Sequence, residues 1–176
     1  VLGLPSGNGK ITAAQVEAAY WSHVNNDSFE HTVQPKMVYI SHPTELGTIY
    51  SKDELTALSK VCRERGFYLF MDGARLGYAL AAPDNDLTMA DIAELCDVFY
   101  IGGTKVGALF GEAVVISNAE LKQDFRYHIK QKGGMLAKGR LLGLQFEEQF
   151  RNGLYLELGR HANAMAQRLQ NGLIAK

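Results

Sequence analysis

The sequence predicts an α/β fold, a mostly parallel sheet flanked by helices. Three features of its 176 residues carry that reading. Short apolar runs alternate with helix-length segments, as layered βαβ folds require. The runs are continuous in apolarity, which a parallel sheet covered on both faces needs. Hydroxyl residues set three before Gln, Glu or Asp mark where the intervening helices start.

In chain order, Ser6-Gly7-Asn8-Gly9-Lys10 reads as a turn. A phosphate-binding Walker loop would need Gly at Leu4 and Ser or Thr at Ile11. Thr12 and Gln15 then form a capping box that opens a helix. His23, Asp27, Glu30 and His31 match no common metal-ligand spacing and read as a solvated loop. Met37 to Ser41 is the first strand, rich in β-branched and aromatic residues. Ser51 and Glu54 open a second helix, which stops at Gly66 behind Arg63 and Arg65. Phe67 to Met71 is the second strand. Asp84-Asn85-Asp86 lacks the Gly and closing Glu of a calcium loop and reads as a turn. Thr88 caps a short helix over Met89 to Cys96, and Val98 to Ile101 is the third strand. The fourth, Ala113 to Ile116, follows too closely for a helical crossover and is predicted to run antiparallel. Ser117 and Glu120 read as one more capping box, and Leu121 to Leu173 carries helical patterns and no strand signal.

Composition bounds the function. Apolar residues make up 47% and charged residues 21%, the balance of a globular chain. Eighteen basic and nineteen acidic residues leave a net charge of -1, which argues against nucleic acid or a membrane surface as partner. No stretch approaches the ~20 apolar residues of a membrane helix. Cys62 and Cys96 read as buried free thiols of a reducing compartment, consistent with the cytoplasm. The chain starts at Val1 with neither initiator Met nor signal sequence, the start expected of a piece of something longer.

In α/β folds ligands collect at the C-terminal ends of the strands. Here those ends carry Ser41 to Thr48, then Asp72-Gly73-Ala74-Arg75, then Gly102-Gly103-Thr104-Lys105. A carboxylate buried unpaired at Asp72 would cost several kcal/mol, so it needs a cation. An ion pair with Arg75 or Lys105 would satisfy it structurally. The ordered set also suits pyridoxal 5'-phosphate chemistry. That cofactor takes a Lys amine on its aldehyde and a carboxylate that keeps its ring nitrogen protonated.

The stretches TELGTIY, MDGARLGYAL, DVFYIGGTKVGALFGEAVV and KQKGGMLAKGRLLG resemble the threonine aldolase/β-eliminating lyase family of fold-type-I pyridoxal phosphate enzymes. The resemblance runs along essentially the whole chain, and DGAR followed by GGTK is its most specific part. It implies a lyase that cleaves the Cα–Cβ bond of a β-hydroxy-α-amino acid of the threonine type to glycine and an aldehyde. It implies Lys105 as the lysine bonded to pyridoxal 5'-phosphate and Asp72 as partner of the ring nitrogen. Arg75 would bind the substrate carboxylate. Thr104 and the Lys138/Arg140 pair would lie near the cofactor phosphate or a neighbouring active site. Where many family members carry a His that contacts the substrate hydroxyl, this chain has Glu45, a carboxylate able to accept that proton. Family members are much longer. Residues 1–176 are therefore expected to form part of one large cofactor-binding domain of a homodimer or homotetramer. The upstream phosphate loop, the aromatic ring that stacks on the cofactor and the small C-terminal domain would lie outside this segment. β-Elimination or transamination would use the same residues, and a non-catalytic truncated chain is the rival of another class.

Overall fold

A computed structural model describes residues 1–175. The elements in order are α1 (Ala13–Val24), β1 (Met37–Ser41), α2 (Lys52–Arg65), β2 (Tyr68–Asp72), α3 (Leu76–Leu80), α4 (Met89–Leu95), β3 (Val98–Gly102), β4 (Glu112–Ile116), α5 (Phe125–Gln131), α6 (Arg140–Phe150) and α7 (Leu154–Ile174). The strands lie in the order β1-β2-β3-β4. The first three are parallel and β4 runs antiparallel to β3. The short link from β3 to β4 is the reason, because it holds only a 3-10 turn and no helix.

The helix starts follow their side chains. Thr12 with Gln15, Ser51 with Glu54 and Thr88 with Asp91 each form a reciprocal capping box, satisfying two otherwise orphaned N–H groups apiece. Gly66 ends α2 in the left-handed conformation at φ 66°. The proposed box at Ser117 does not form. Ser117 and Asn118 both donate their N–H to the Asp97 carbonyl, which carries the chain one residue further. Asn118 then caps a 3-10 turn over Ala119–Lys122 by accepting the Glu120 N–H. The Ser117 hydroxyl is left buried without a partner. α3 begins directly after Asp72-Gly-Ala-Arg, a helix with no capping signal of its own.

The sheet differs from its sequence reading in one respect. Burial alternates along the strands although apolarity does not. Val38, Ile40, Leu69, Met71, Phe99 and Ile101 form the closed face. Leu55, Leu58 and Cys62 of α2 and Ile92 of α4 belong to the same core. The opposite face carries Tyr39, Phe70 and Tyr100 and is only partly covered, with Tyr39 and Phe70 stacked at 5.3 Å. That face also ends in Asp72, so the open side of the sheet leads to the predicted site. Cys62 and Cys96 are free and buried, and burial pushes both thiols up to about 12.

The C-terminal helices return to the sheet end through one side chain. Tyr155 of α7 is 1% exposed. Its hydroxyl accepts the Gly77 N–H at 3.1 Å and donates to the Gly102 carbonyl at 3.0 Å. One buried phenol thus ties α7 to α3 and to the end of β3.

Candidate active site

Two glycines bring the strand ends together. The Gly102 N–H donates to the Gly73 carbonyl at 2.8 Å. A Cβ on Gly73 would stand 2.0 Å from the Tyr100 carbonyl oxygen, and one on Gly102 2.1 Å from that of Ala74. No side chain fits at either position, so the loop after β2 lies directly on the end of β3. Asp72 and the Thr104-Lys105 turn are positioned by this backbone contact.

Asp72 is half-buried at the end of β2. Tyr39 donates its hydroxyl to one carboxylate oxygen at 2.5 Å, and the Ala74 N–H donates to the other at 2.9 Å. Burial pushes the Asp72 carboxyl up, but the hydroxyls of Tyr100 and Tyr39, the Ala74 N–H and the nearby Lys105 charge outweigh it. The net effect holds Asp72 below the ordinary aspartate value, so it is a carboxylate at neutral pH. The same contacts act in reverse on the phenols. Burial and then the Asp72 charge push Tyr39 up to about 12 and raise Tyr100 as well. Neither phenol figured in the sequence reading. The available signal was a tyrosine inside an apolar strand, a side chain whose hydroxyl needs a partner when it packs. Tyr39 and Asp72 share one face because the register pairs Tyr39 with Phe70 and Ser41 with Asp72.

Lys105 lies in the 3-10 turn Thr104–Val106 with its side chain exposed, and Tyr78 donates its hydroxyl to the Lys105 carbonyl. Glu112 of β4 accepts both the Gly103 N–H at 2.7 Å and the Thr104 hydroxyl at 3.2 Å. Arg75 does not pair with Asp72. Its Nη1 meets Glu45 Oε1 at 2.9 Å instead. Lys138 and Arg140 are exposed in the turn leading into α6 and at its first residue. Among the described residues the hydrogen bonds to the Asp72 carboxylate come from Tyr39 and the Ala74 N–H, and from neither Lys138 nor Arg140.

Several of the other singled-out residues have partners of their own. Lys10 binds Glu54 at 2.7 Å and the Ile49 carbonyl at 3.1 Å. The His23 ring meets the Thr32 hydroxyl at 3.1 Å. Asp86 accepts the Lys52 N–H and Asn85 the Leu87 N–H. No group of three or more metal-ligating side chains exists among the described residues.

His42 is a further residue beside the site to which the sequence reading gave no role. It is fully buried, and its N–H donates to the Asp72 carbonyl at 2.9 Å. Its ring nitrogen Nδ1 accepts the Tyr50 N–H, while Nε2 has no partner. Burial pushes the imidazole down to about 4, with Asp86 pulling up and Lys10 pushing down less strongly. A neutral buried base gives a definite pH dependence. Above its ordinary value of ~6.5 it is neutral in both states. Between there and about 4 only the unfolded chain takes up the proton, so stability falls with pH, by up to roughly 3 kcal/mol. Urea unfolding midpoints measured from pH 7 to 4 should fall, and should fall less in His42→Gln. Equal slopes in the two proteins would show that His42 does not carry the effect.

Comparison with known proteins decides the family. The family model described as "Beta-eliminating lyase" matches residues 2–174. The chain belongs to the beta-eliminating lyase family. Two curated members of similar sequence are each called "Low specificity L-threonine aldolase". The one from Pseudomonas sp. (strain NCIMB 10558) is 36% identical over 170 residues, 94% of this chain and 47% of its own length. The one from Pseudomonas aeruginosa is 37% identical over 139 residues, 79% of this chain and 40% of its own. The solved structure of the Leishmania major threonine aldolase superposes with a TM-score of 0.91 at 53% identity. It covers 98% of this chain, which covers 49% of that one. The α/β architecture with its antiparallel last strand is thus a family fold. The chain spans about half the length of the curated relatives it matches.

Proposed function

We propose that this chain is part of the large cofactor-binding domain of a pyridoxal 5'-phosphate-dependent lyase. Its reaction is the cleavage of a β-hydroxy-α-amino acid of the threonine type to glycine and an aldehyde. The observation that carries the reading is the ionised Asp72 at the end of β2, held by two phenols and an amide, with the Lys105 ammonium near enough to lower its pKa. The matched relatives named as threonine aldolases support the substrate class.

The donor set fits the cofactor. Lys105 would hold it through its amine and Asp72 at the ring nitrogen. Thr104, whose hydroxyl is shared with Glu112, would serve the phosphate, and Arg140 would do so across the proposed subunit interface. Pyridoxal phosphate, when bound, supplies the sink for the electron pair of the broken bond. Asp72, already charged, would favour a protonated ring nitrogen without reorganisation. Arg75 would receive the substrate α-carboxylate and so fix which bond at Cα stands ready to break, with Lys138 serving as a second cation across the proposed subunit interface. Glu45 takes the β-hydroxyl proton. The O–H pair becomes the aldehyde C=O as Cα–Cβ breaks, and a proton added at Cα completes glycine.

The protein is proposed to work in the cytoplasm, consistent with its two free thiols, as a homodimer or homotetramer. Exposed Leu109, Leu136, Leu141 and Leu144 provide apolar surface for such an assembly. Product analysis tests the function. The full-length protein with pyridoxal phosphate should convert threonine or allo-threonine to acetaldehyde and glycine in equal amounts. Ammonia with a keto acid, or no product from any amino acid, would overturn the reading.

A further inference from the structure

The two residues assigned to the substrate's two ends are bonded to each other. Glu45 and Arg75 meet through a single contact, Oε1 to Nη1 at 2.9 Å. Their side chains are 75% and 33% exposed. Both assignments cannot act at once in this state, because a carboxylate already occupies the arginine. We propose that the substrate's α-carboxylate and Glu45 compete for Arg75, so that substrate binding itself releases the Glu45 carboxylate. The inference rests on the proposed function for the substrate.

Three properties of the pair favour exchange. Exposed ion pairs are weak, so an incoming carboxylate faces a low cost in displacing this one. Glu45 engages Arg75 through one oxygen and one nitrogen, whereas a guanidinium can take a carboxylate on both prongs. A ligand carboxylate that binds both prongs out-competes a one-pronged occupant. Glu45 also lines a cavity of about 260 Å³ together with Tyr39, Ser41, Thr44 and Tyr50. Tyr39 is the phenol on Asp72, so a Glu45 freed from Arg75 remains at the edge of the space beside the ring-nitrogen carboxylate. The exchange therefore links capture of the α-carboxylate to the appearance of an unpaired base for the β-hydroxyl. An amine lacking the carboxylate would leave Glu45 engaged.

Binding measurements separate this from a fixed strut. Glycine carries the carboxylate but no β-hydroxyl, so it binds without being cleaved. Methylamine carries the amine alone. In full-length protein loaded with pyridoxal phosphate, calorimetric titration should show glycine binding about two- to fivefold tighter in Glu45→Gln, the range set by the strength of an exposed ion pair. Glu45→Ala should do the same. Methylamine affinity should be unchanged in both, while threonine turnover falls. Unchanged or weaker glycine binding, or an equal gain for methylamine, would overturn the competition. Wild-type protein that binds pyridoxal phosphate but neither ligand would overturn the proposed function beneath it.

Discussion

Lys105→Ala in the full-length protein should abolish turnover and the visible absorbance that develops when the wild type is mixed with pyridoxal phosphate. Covalent capture of an aldehyde cofactor needs an amine with a free pair, and no shorter side chain supplies one. The substitution isolates chemistry from folding. Lys105 is exposed and enters no ion pair among the described residues, and the bonds that Tyr78 and Glu112 make to its turn fall on main-chain atoms and the Thr104 hydroxyl, not on the Lys105 side chain. Surface changes of this kind usually move stability by no more than ~0.5 kcal/mol. The cofactor-free variant should therefore melt within a degree or two of the wild type. Retained turnover, or wild-type absorbance in the variant, would remove Lys105 from the site.

Asp72→Asn should lower kcat by a factor on the order of 10²–10³, because it removes a fixed charge aimed at charge that develops in the transition state. The amide keeps the shape, and its oxygen can still accept one of the donors. The structure also sets how much folding stability should change. A buried pair with Arg75 would cost roughly 3–5 kcal/mol when broken. Arg75 is bonded to Glu45, so no cation is stranded. The loss should be nearer ~1–2 kcal/mol, the cost of disturbing hydrogen bonds to Tyr39 and Ala74. Near-normal kcat with a sharply lowered melting point would make Asp72 a strut.

The four strands and the reversal of β4 were legible because they depend on short apolar runs and on link lengths. The placement of Asp72 and Lys105 at the ends of β2 and β3 was legible because Asp72 directly follows one apolar run and Lys105 follows another after Gly102-Gly103-Thr104. Side-chain pairing was not legible. Asp72 was expected to need a cation, yet phenols from β1 and β3 satisfy much of it. Those phenols sit in other strands, and their approach follows from register, which sequence spacing does not give. Ser117 failed as a cap because Asp97, twenty residues earlier, takes the local N–H groups. The partly open face escaped notice because Tyr and Phe count as apolar whichever way they point. Glu45 and Arg75 were each assigned a ligand atom, and their contact with each other depends on how the loop after β1 folds over the end of β2.

The contact between Gly73 and Gly102 carries a consequence for how such an enzyme can change. The separation of Asp72 from Lys105 is set by main chain pressed on main chain, with no side chain as spacer. Substitutions in the surrounding loops can therefore vary without altering that separation, provided the two glycines stay. The loop bearing Glu45 lies outside the contact and has exposed side chains at Glu45 and Leu46. In the proposed enzyme, substrate preference would be free to drift there while the frame of Asp72 and Lys105 stays fixed. A search for altered specificity belongs in residues 44–47, and random changes at the glycine pair should mostly yield protein that does not assemble its site at all.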